Sequence, residues 1–427
     1  MTPLARAGIV LLLVILATAF RLGLLAYSFY ALIALLVLAQ LLGRGSLSGV
    51  VHERVVSRTQ VEVGETVNVS TEVRNASGWP VLWVLTEDAL QESLPVEGNR
   101  LAAAFLGGGA SRVLKYKVTF PHRGYYPLGP LVLESGDLFG LVRRFRTGSR
   151  LDFVTVLPRV VGIGGYDVPT KKPVGEVRVR TRIHEDPTRL AGVREYLQGD
   201  PLNRIHWKTT ARTGRLHSKV YDPSTMIGAN LVVDFRREGY AAYELFERSE
   251  LAITAAASLA AYILEHKQQV GLLTNGMDAV DRLAFELQEQ ESQSRSEARR
   301  LTELRVESDR LRPVEVPLRR GDFQLWQLRH VLARLELSDG LPLGELLLQE
   351  YPRLPRDAAV IVLAPEVPYS LATALGELKR SGFTIAAFVI AALPAWEQAA
   401  AALSVHNVPC YHLTDERQLA ELAGIRF

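Results

Sequence analysis

Ala229-Asn230-Leu231-Val232-Val233-Asp234-Phe235 is a near-continuous apolar run with one carboxylate close to its end. A strand covered on both faces reads this way, because each side must meet an apolar layer. The pattern downstream alternates. It predicts a helix over about 243–267, a strand at 269–274 before Gly276, and a strand at 314–316. Helices near 323–336 and 342–351, a buried strand at 358–364 and a helix at 370–380 follow. A strand at 384–391, a helix at 395–405, a strand at 409–413 and a last helix complete the series. Such alternation predicts an α/β doubly wound parallel sheet over 223–427, whose carboxyl edge is the natural place for a ligand or partner. Residues 281–312 interrupt it as a charged, Gln/Ser/Arg-rich insertion whose leucine spacing is too irregular for a coiled coil.

The junction upstream, about 166–222, is basic. From Lys171 to Lys219 there are about twelve Lys/Arg against five Asp/Glu, roughly +7, while the whole chain carries only +3. Asp200 followed by Pro201 reads as a helix start and Gly214 as its end. On that helix Arg204, Lys208 and Arg212 recur every four residues and form one cationic stripe. Leu202, Ile205 and Thr209 share another face, and Trp207 and Ala211 a third. After Gly214 a strand is expected, with Arg215, His217, Lys219 and Tyr221 on one side and Leu216, Ser218 and Val220 on the other. Two readings stay open. One is a docking surface for an anionic group. The other is an internal clamp, in which Glu185, Asp186, Glu195, Asp200 and Asp222 pair with the cations and Trp207 packs between domains.

Residues 46–165 read as short strands. Val61, Val63, Val67, Val69, Thr71 and Val73 alternate with polar partners around Gly64-Glu65. Val81–Thr86, Arg112–Phe120 and Leu131–Glu134 continue the pattern, which predicts an antiparallel β-sandwich. Gly107-Gly108-Gly109 lacks a following Lys-Ser/Thr and reads as a hairpin turn, not a phosphate loop.

From Ala7 to Gly43 the only charge is Arg21. One helix through the apolar run of about 40 residues would be roughly 60 Å long, about twice the hydrocarbon thickness of a bilayer. Two transmembrane helices, near 4–20 and 24–42, fit instead. A cleaved leader ending at Ala17-Thr18-Ala19 would leave the second half of the run unexplained. Arg6 and the Arg44, Arg54, Arg58 group flank the hairpin on one side, which the positive-inside bias assigns to the cytoplasm. The expected localisation is therefore an inner (cytoplasmic) membrane with the soluble domains on its cytoplasmic side.

Catalytic signatures are missing. The single cysteine, Cys410, excludes an internal disulfide. Cys410 and His412 share a strand face, an arrangement commoner in a core than in a nucleophile pair. The nine histidines show no metal spacing, and no Walker or dinucleotide glycine pattern occurs. No cofactor, metal or nucleic-acid partner is expected.

The phrase Arg194-Glu195-Tyr196-(x)2-Gly199-Asp200-(x)3-Arg204-Ile205-(x)-Trp207-Lys208-(x)2-Ala211-Arg212-(x)-Gly214-Arg215-Leu216 resembles the signature of a bacterial family catalogued as domain of unknown function 58 (DUF58). Arg123-Gly-Tyr…Leu128-Gly-Pro130 and Asp137-Leu-Phe139-Gly-Leu141 are similar to phrases upstream in that family. The resemblance implies a membrane anchor, a β-sandwich and a von Willebrand factor A-like domain. It also implies a neighbourhood of MoxR-type AAA+ ATPases and transglutaminase-like membrane proteins, and no established reaction. Domains of the A type often bind a cation through Asp-x-Ser-x-Ser; here Asp234 is followed by Arg236 and Glu238 at the hydroxyl positions. The expected function is a membrane-anchored, non-enzymatic adaptor. The alternatives are a metal-dependent hydrolase using Asp234 and an anionic-lipid-binding module.

Overall fold

A computed structural model of the chain describes residues 15, 23, 27, 28, 30–35, 47–137, 143–148, 150–163, 184–197, 204–224, 228–283 and 313–421. The chain divides into two compact units, one of residues 1–157 with 279–305 and one of 158–278 with 306–427.

The first unit is built from strands. They are β1 (Val50–Val56), β2 (Gln60–Glu62), β3 (Thr66–Asn75), β4 (Val81–Asp88), β5 (Val96–Gly98) and β6 (Leu101–Leu106). β7 (Ser111–Thr119), β8 (Gly124–Leu128), β9 (Leu131–Gly136), β10 (Arg143–Thr147) and β11 (Asp152–Leu157) follow. Two four-stranded sheets, β1-β3-β7-β5 and β10-β9-β4-β6, are antiparallel, and a three-stranded sheet orders as β2-β11-β8. The alternation along β3 is the reason for its shape: Val67, Val69, Thr71 and Val73 are buried, and the residues between them face outward. β-Sandwich-like sheets are thus present. The triple glycine is the turn between β6 and β7, with Gly109 at φ 78°. Beneath β3 a buried polar group sits in the core. Asp88 accepts from Arg54 Nε at 3.0 Å, Thr71 Oγ1 at 3.0 Å and Tyr116 Oη at 2.7 Å. Gly129, at φ 92°, lets the chain pass this guanidinium, because a Cβ there would stand 2.5 Å from Arg54 Nη2.

The expected transmembrane hairpin is a correction. Among the described residues no helix is long and apolar enough to cross a membrane, and the amino-terminal part of the chain is mostly strand. The expectation rested on hydropathy and run length alone. Most of the two expected spans lies outside the described residues, as do 138–141 of the Asp137–Leu141 phrase and 284–312 of the insertion.

The second unit starts with a hairpin of β12 (His184–Glu195) and β13 (His217–Ser224), which brackets helix α1 (Trp207–Thr213). Its main sheet takes β14 (Gly228–Val233), β15 (Gln269–Thr274), β17 (Val314–Arg319), β19 (Ala358–Ala364), β20 (Ile385–Val389) and β21 (Cys410–His412). Short β16 (Met277–Asp278) and β18 (Leu335–Glu336) pair separately. The order is β17-β15-β14-β19-β20-β21, parallel throughout except for the antiparallel edge strand β17. The helices are α2 (Leu245–Glu265), α3 (Asp322–Arg334), α4 (Leu343–Glu350), α5 (Tyr369–Arg380), α6 (Leu393–Val405) and α7 (Glu416–Glu421).

Neighbouring residues of β14 face opposite layers. Leu231 and Val233 pack with Ala252, Ala256 and Leu259 of the alanine-rich α2, and with Leu328 and Leu332 of α3. Val232 packs with Leu346 of α4, Leu371 and Leu375 of α5 and Leu403 of α6. This two-sided cover is what the uninterrupted apolar runs dictate.

The β17 edge explains one buried amide. Pro317 has no N–H, and the ladder slips between Val270 and Leu272. Gln324 of α3 takes over: its Nε2 donates to Val270 O at 2.7 Å and to Pro317 O at 2.9 Å. Gln324→Leu is expected to leave both carbonyls unpaired and cost about 1–3 kcal/mol. Faster amide exchange along β15 and β17 would register the loss, and unchanged exchange would show that the amide bonds contribute nothing.

Candidate functional site

β14 and β15 are joined through α2 on one side of the sheet, while β19 and its successors continue on the other. The strand order therefore reverses between β14 and β19, and a crevice opens beyond their carboxyl ends. Asp234 follows β14 and Glu366 follows β19.

The polar groups of this crevice are tied together. Asn275, just past β15, donates from Nδ2 to Asp234 Oδ1 at 2.8 Å and to Leu341 O at 2.9 Å. Its Oδ1 accepts from Phe235 N at 2.7 Å. Arg236 N also donates to Asp234 Oδ1, at 3.2 Å. Ser338 donates through Oγ to Asn275 O at 2.6 Å and accepts from Gly340 N at 3.1 Å. Tyr240 closes the group by donating to Asp234 O at 2.7 Å.

Burial pushes the Asp234 carboxyl above its ordinary pKa, against the pull of Asn275, the Arg236 amide and the Arg236 charge. Burial also raises Glu366, and the nearby Asp234 charge adds to the shift. Arg236 pairs with Glu238. A carboxylate already holding two N–H groups beside a guanidinium is a poor seat for a hard cation, which needs several free oxygens. Among the described residues, no group of three or more His, Cys, Asp or Glu could hold a metal ion.

The rim is apolar. Each helix after a parallel strand begins at the carboxyl edge, and three of these beginnings expose large side chains. Tyr243 and Phe246 at α2 are 80% and 50% exposed, Tyr369 at α5 is 82% and Leu393 at α6 is 61%. Sequence reasoning named this carboxyl edge and, on it, Asp234, Arg236 and Glu238. Asn275, Ser338, Glu366 and the rim were missed, although a Thr-Asn-Gly ending on a buried strand was a usable sign for Asn275.

The motif residues lie apart from this crevice in the chain, on the β12–β13 hairpin. Tyr196 N donates to Leu216 O at 2.9 Å, next to the last β12–β13 pair, Glu195 with His217. Ile205 is buried and bridges to Ser218, and His206 N donates to His217 O at 2.8 Å. These bonds hold 205–206 extended, which corrects the expected helix start at Asp200. The helix begins at Trp207, with His206 as its cap accepting from Thr209 N through Nδ1 at 3.2 Å. Gly214, at φ 72°, ends it and donates to Thr210 O at 2.9 Å. Arg204 therefore precedes the helix, and the stripe on it shortens to Lys208 and Arg212. Gly199 and Asp200 lie outside the described residues.

Trp207 is 67% exposed. Arg215 meets Glu195 at 3.2 Å with both side chains mostly in solvent, a pair worth little. Arg194 donates to the Glu195 carbonyl at 3.2 Å. The other candidate pair is structural as well. His412 bonds Ala391 O at 2.8 Å through Nε2 and stacks on Trp396, while burial pushes the Cys410 thiol up, away from the thiolate a nucleophile needs.

Residues 192–302 match a family described as Protein of unknown function DUF58. The DUF58 match takes in the end of β12, α1, β13 and the first β-α-β unit, and so holds both the motif hairpin and Asp234 with Asn275. An uncharacterized protein of Bacillus subtilis (strain 168), YeaD, is 24% identical over 258 residues, 59% of this chain. The chain covers 62% of that relative's length, short of two thirds. Among solved structures, a FixG-related protein from Vibrio parahaemolyticus aligns over 25% of this chain and 96% of its own, at 6% identity and a TM-score of 0.18. A human seminal complex of zinc 2-glycoprotein and prolactin inducible protein aligns over 25% of this chain and 93% of its own, at 12% identity and a TM-score of 0.19. Likeness that slight says nothing about fold or function.

Proposed function

We propose that this chain is a non-enzymatic adaptor that docks a protein partner on the carboxyl edge of its α/β unit, which we read as von Willebrand factor A-like. One observation carries the reading: Tyr243, Phe246, Tyr369 and Leu393 stand exposed around a crevice in which Asp234, Asn275 and Ser338 are linked by hydrogen bonds. Aromatic side chains left in water at the rim of a rigid sheet are typical anchors of protein interfaces.

The resemblance to DUF58 makes a MoxR-type AAA+ ATPase the first partner to test. Such a partner works where ATP is, so the reading sets the docking face on the cytoplasmic side. Photo-crosslinkers placed at Tyr243 and Tyr369 in the native host are expected to yield adducts with that ATPase. Tyr369→Arg is expected to weaken the complex by about 2 kcal/mol, roughly thirtyfold. Crosslinking that captures no protein from either position, in chains that retain their fold, would remove the reading.

A further inference from the structure

We infer that the β12–β13 hairpin carries a second docking surface, distinct from the rim, which seats on an anionic lipid surface. The observation is a helix with no fully buried residue. All seven residues of α1, Trp207–Thr213, are at least partly exposed, and none is buried in the chain. Short helices usually persist by burying one apolar face. This one is held from its ends, by the His206 cap, by Gly214 and by the Thr210 hydroxyl, which accepts from His217 N at 3.1 Å.

What the hairpin displays is specific in chemistry. Trp207, Leu197 and Leu216 are 67%, 63% and 45% exposed. Leu216 lies opposite Tyr196 through the Tyr196 N to Leu216 O bond. From 204 to 219 the chain carries five cations, Arg204, Lys208, Arg212, Arg215 and Lys219, and no Asp or Glu. Lys208, Arg212 and Arg215 are exposed. Arg215 spends part of its charge on Glu195 in a solvent-exposed pair that a stronger anion would displace.

Basic residues beside exposed Trp and Leu on a short helix match the surface of a bilayer. Cations meet anionic headgroups, and the indole takes the headgroup–acyl boundary. A rigid protein partner would need a cavity shaped for these separate apolar side chains. A fluid interface needs none, so charge complementarity together with the uncovered helix favours lipid over an acidic protein surface.

The test uses the full chain with vesicles of phosphatidylcholine alone and vesicles containing phosphatidylglycerol. Binding is expected to favour the anionic vesicles and to fall as salt rises. Each basic residue is worth about fivefold in such binding, so Lys208→Gln, Arg212→Gln and Arg215→Gln together should lower it about a hundredfold. The same variant should leave neutral-vesicle association unchanged. Trp207→Ala should lower anionic-vesicle binding about tenfold at any salt. Every substituted side chain is exposed, so the fold is preserved. Equal affinity for both vesicle types would overturn the inference. So would a triple variant that keeps anionic-vesicle binding. Wild type that ignores vesicles but binds a soluble polyglutamate peptide, with loss in the triple variant, would assign the surface to an acidic protein instead.

Discussion

Asp88→Ala is expected to destabilise the sandwich unit by about 3–5 kcal/mol, the cost of removing one partner of a buried ion pair. Arg54 and Asp88 have side chains only 2% and 0% exposed. Arg54 lies on β1 and Asp88 at the end of β4, so the pair ties together two sheets. Burial alone would lower the Arg54 pKa, yet Asp88 opposite keeps it above the ordinary value. The guanidinium also donates to Leu128 O at 2.8 Å and to Asp152 Oδ2 at 3.2 Å. Removing the Asp88 carboxylate leaves Arg54 with the Leu128 carbonyl and the partly exposed Asp152 carboxylate, and deprives Thr71 and Tyr116 of their acceptor.

Amide exchange along β1, β3 and β4 reads this unit directly, and protection should fall by about two to four orders of magnitude. Tyr116→Phe removes one of the bonds to Asp88 and should cost only about 1–2 kcal/mol. Arg54→Met combined with Asp88→Leu should recover most of the loss, because two apolar groups leave no buried charge behind. Equal protection in Asp88→Ala and wild type would mean that water reaches this group and that the pair is not structural.

Sequence legibility followed how local the cause was. Ala358–Ala364 coincides with the expected strand because both its faces are buried, so seven apolar residues in a row have one easy explanation. α2, α4 and α5 fall within a residue or two of expectation for the same reason. The helix start at Asp200 failed because the sequence shows capping residues but not the Ile205–Ser218 bridge, which competes for the same backbone. The edge strand β17 runs antiparallel, which alternation of strand and helix does not reveal. The apolar amino-terminal run was read by length and hydropathy, properties that do not fix how the chain is built there. At the crevice, Ser338 and Asn275 are 63 residues apart and meet only because two loops end beside one strand. No spacing rule reaches across that distance. The phrase from Arg194 to Leu216 could be seen in one glance, yet the residues around Asp234 that define the crevice lie outside it.

Asp234→Asn is expected to raise stability at neutral pH and to flatten its dependence on pH. Burial raises the Asp234 carboxyl above its ordinary value of 3.8, so between that value and the raised one the folded chain keeps a proton that the unfolded chain has lost. The native state then binds more protons, and unfolding free energy falls as pH climbs through that window. Below 3.8 the contribution is fully present; above the raised value it has gone. An asparagine has nearly the same shape, and its oxygen can still accept from Asn275 Nδ2 and Arg236 N, so the bonds remain while the buried charge disappears. Melting curves of the two chains should coincide in acid and separate progressively toward neutral pH, with the variant the more stable.

Glu366 supplies a second, independent reading. Its carboxyl is raised first by burial and then by the Asp234 charge, so in Asp234→Asn it should titrate lower than in wild type, as carbon NMR of labelled glutamate would record. A wild-type chain whose stability is flat across the window, with Glu366 unmoved by the substitution, would place Asp234 in contact with water. The crevice would then be an open polar site, and the apolar rim would no longer be the chemistry that distinguishes this edge of the sheet.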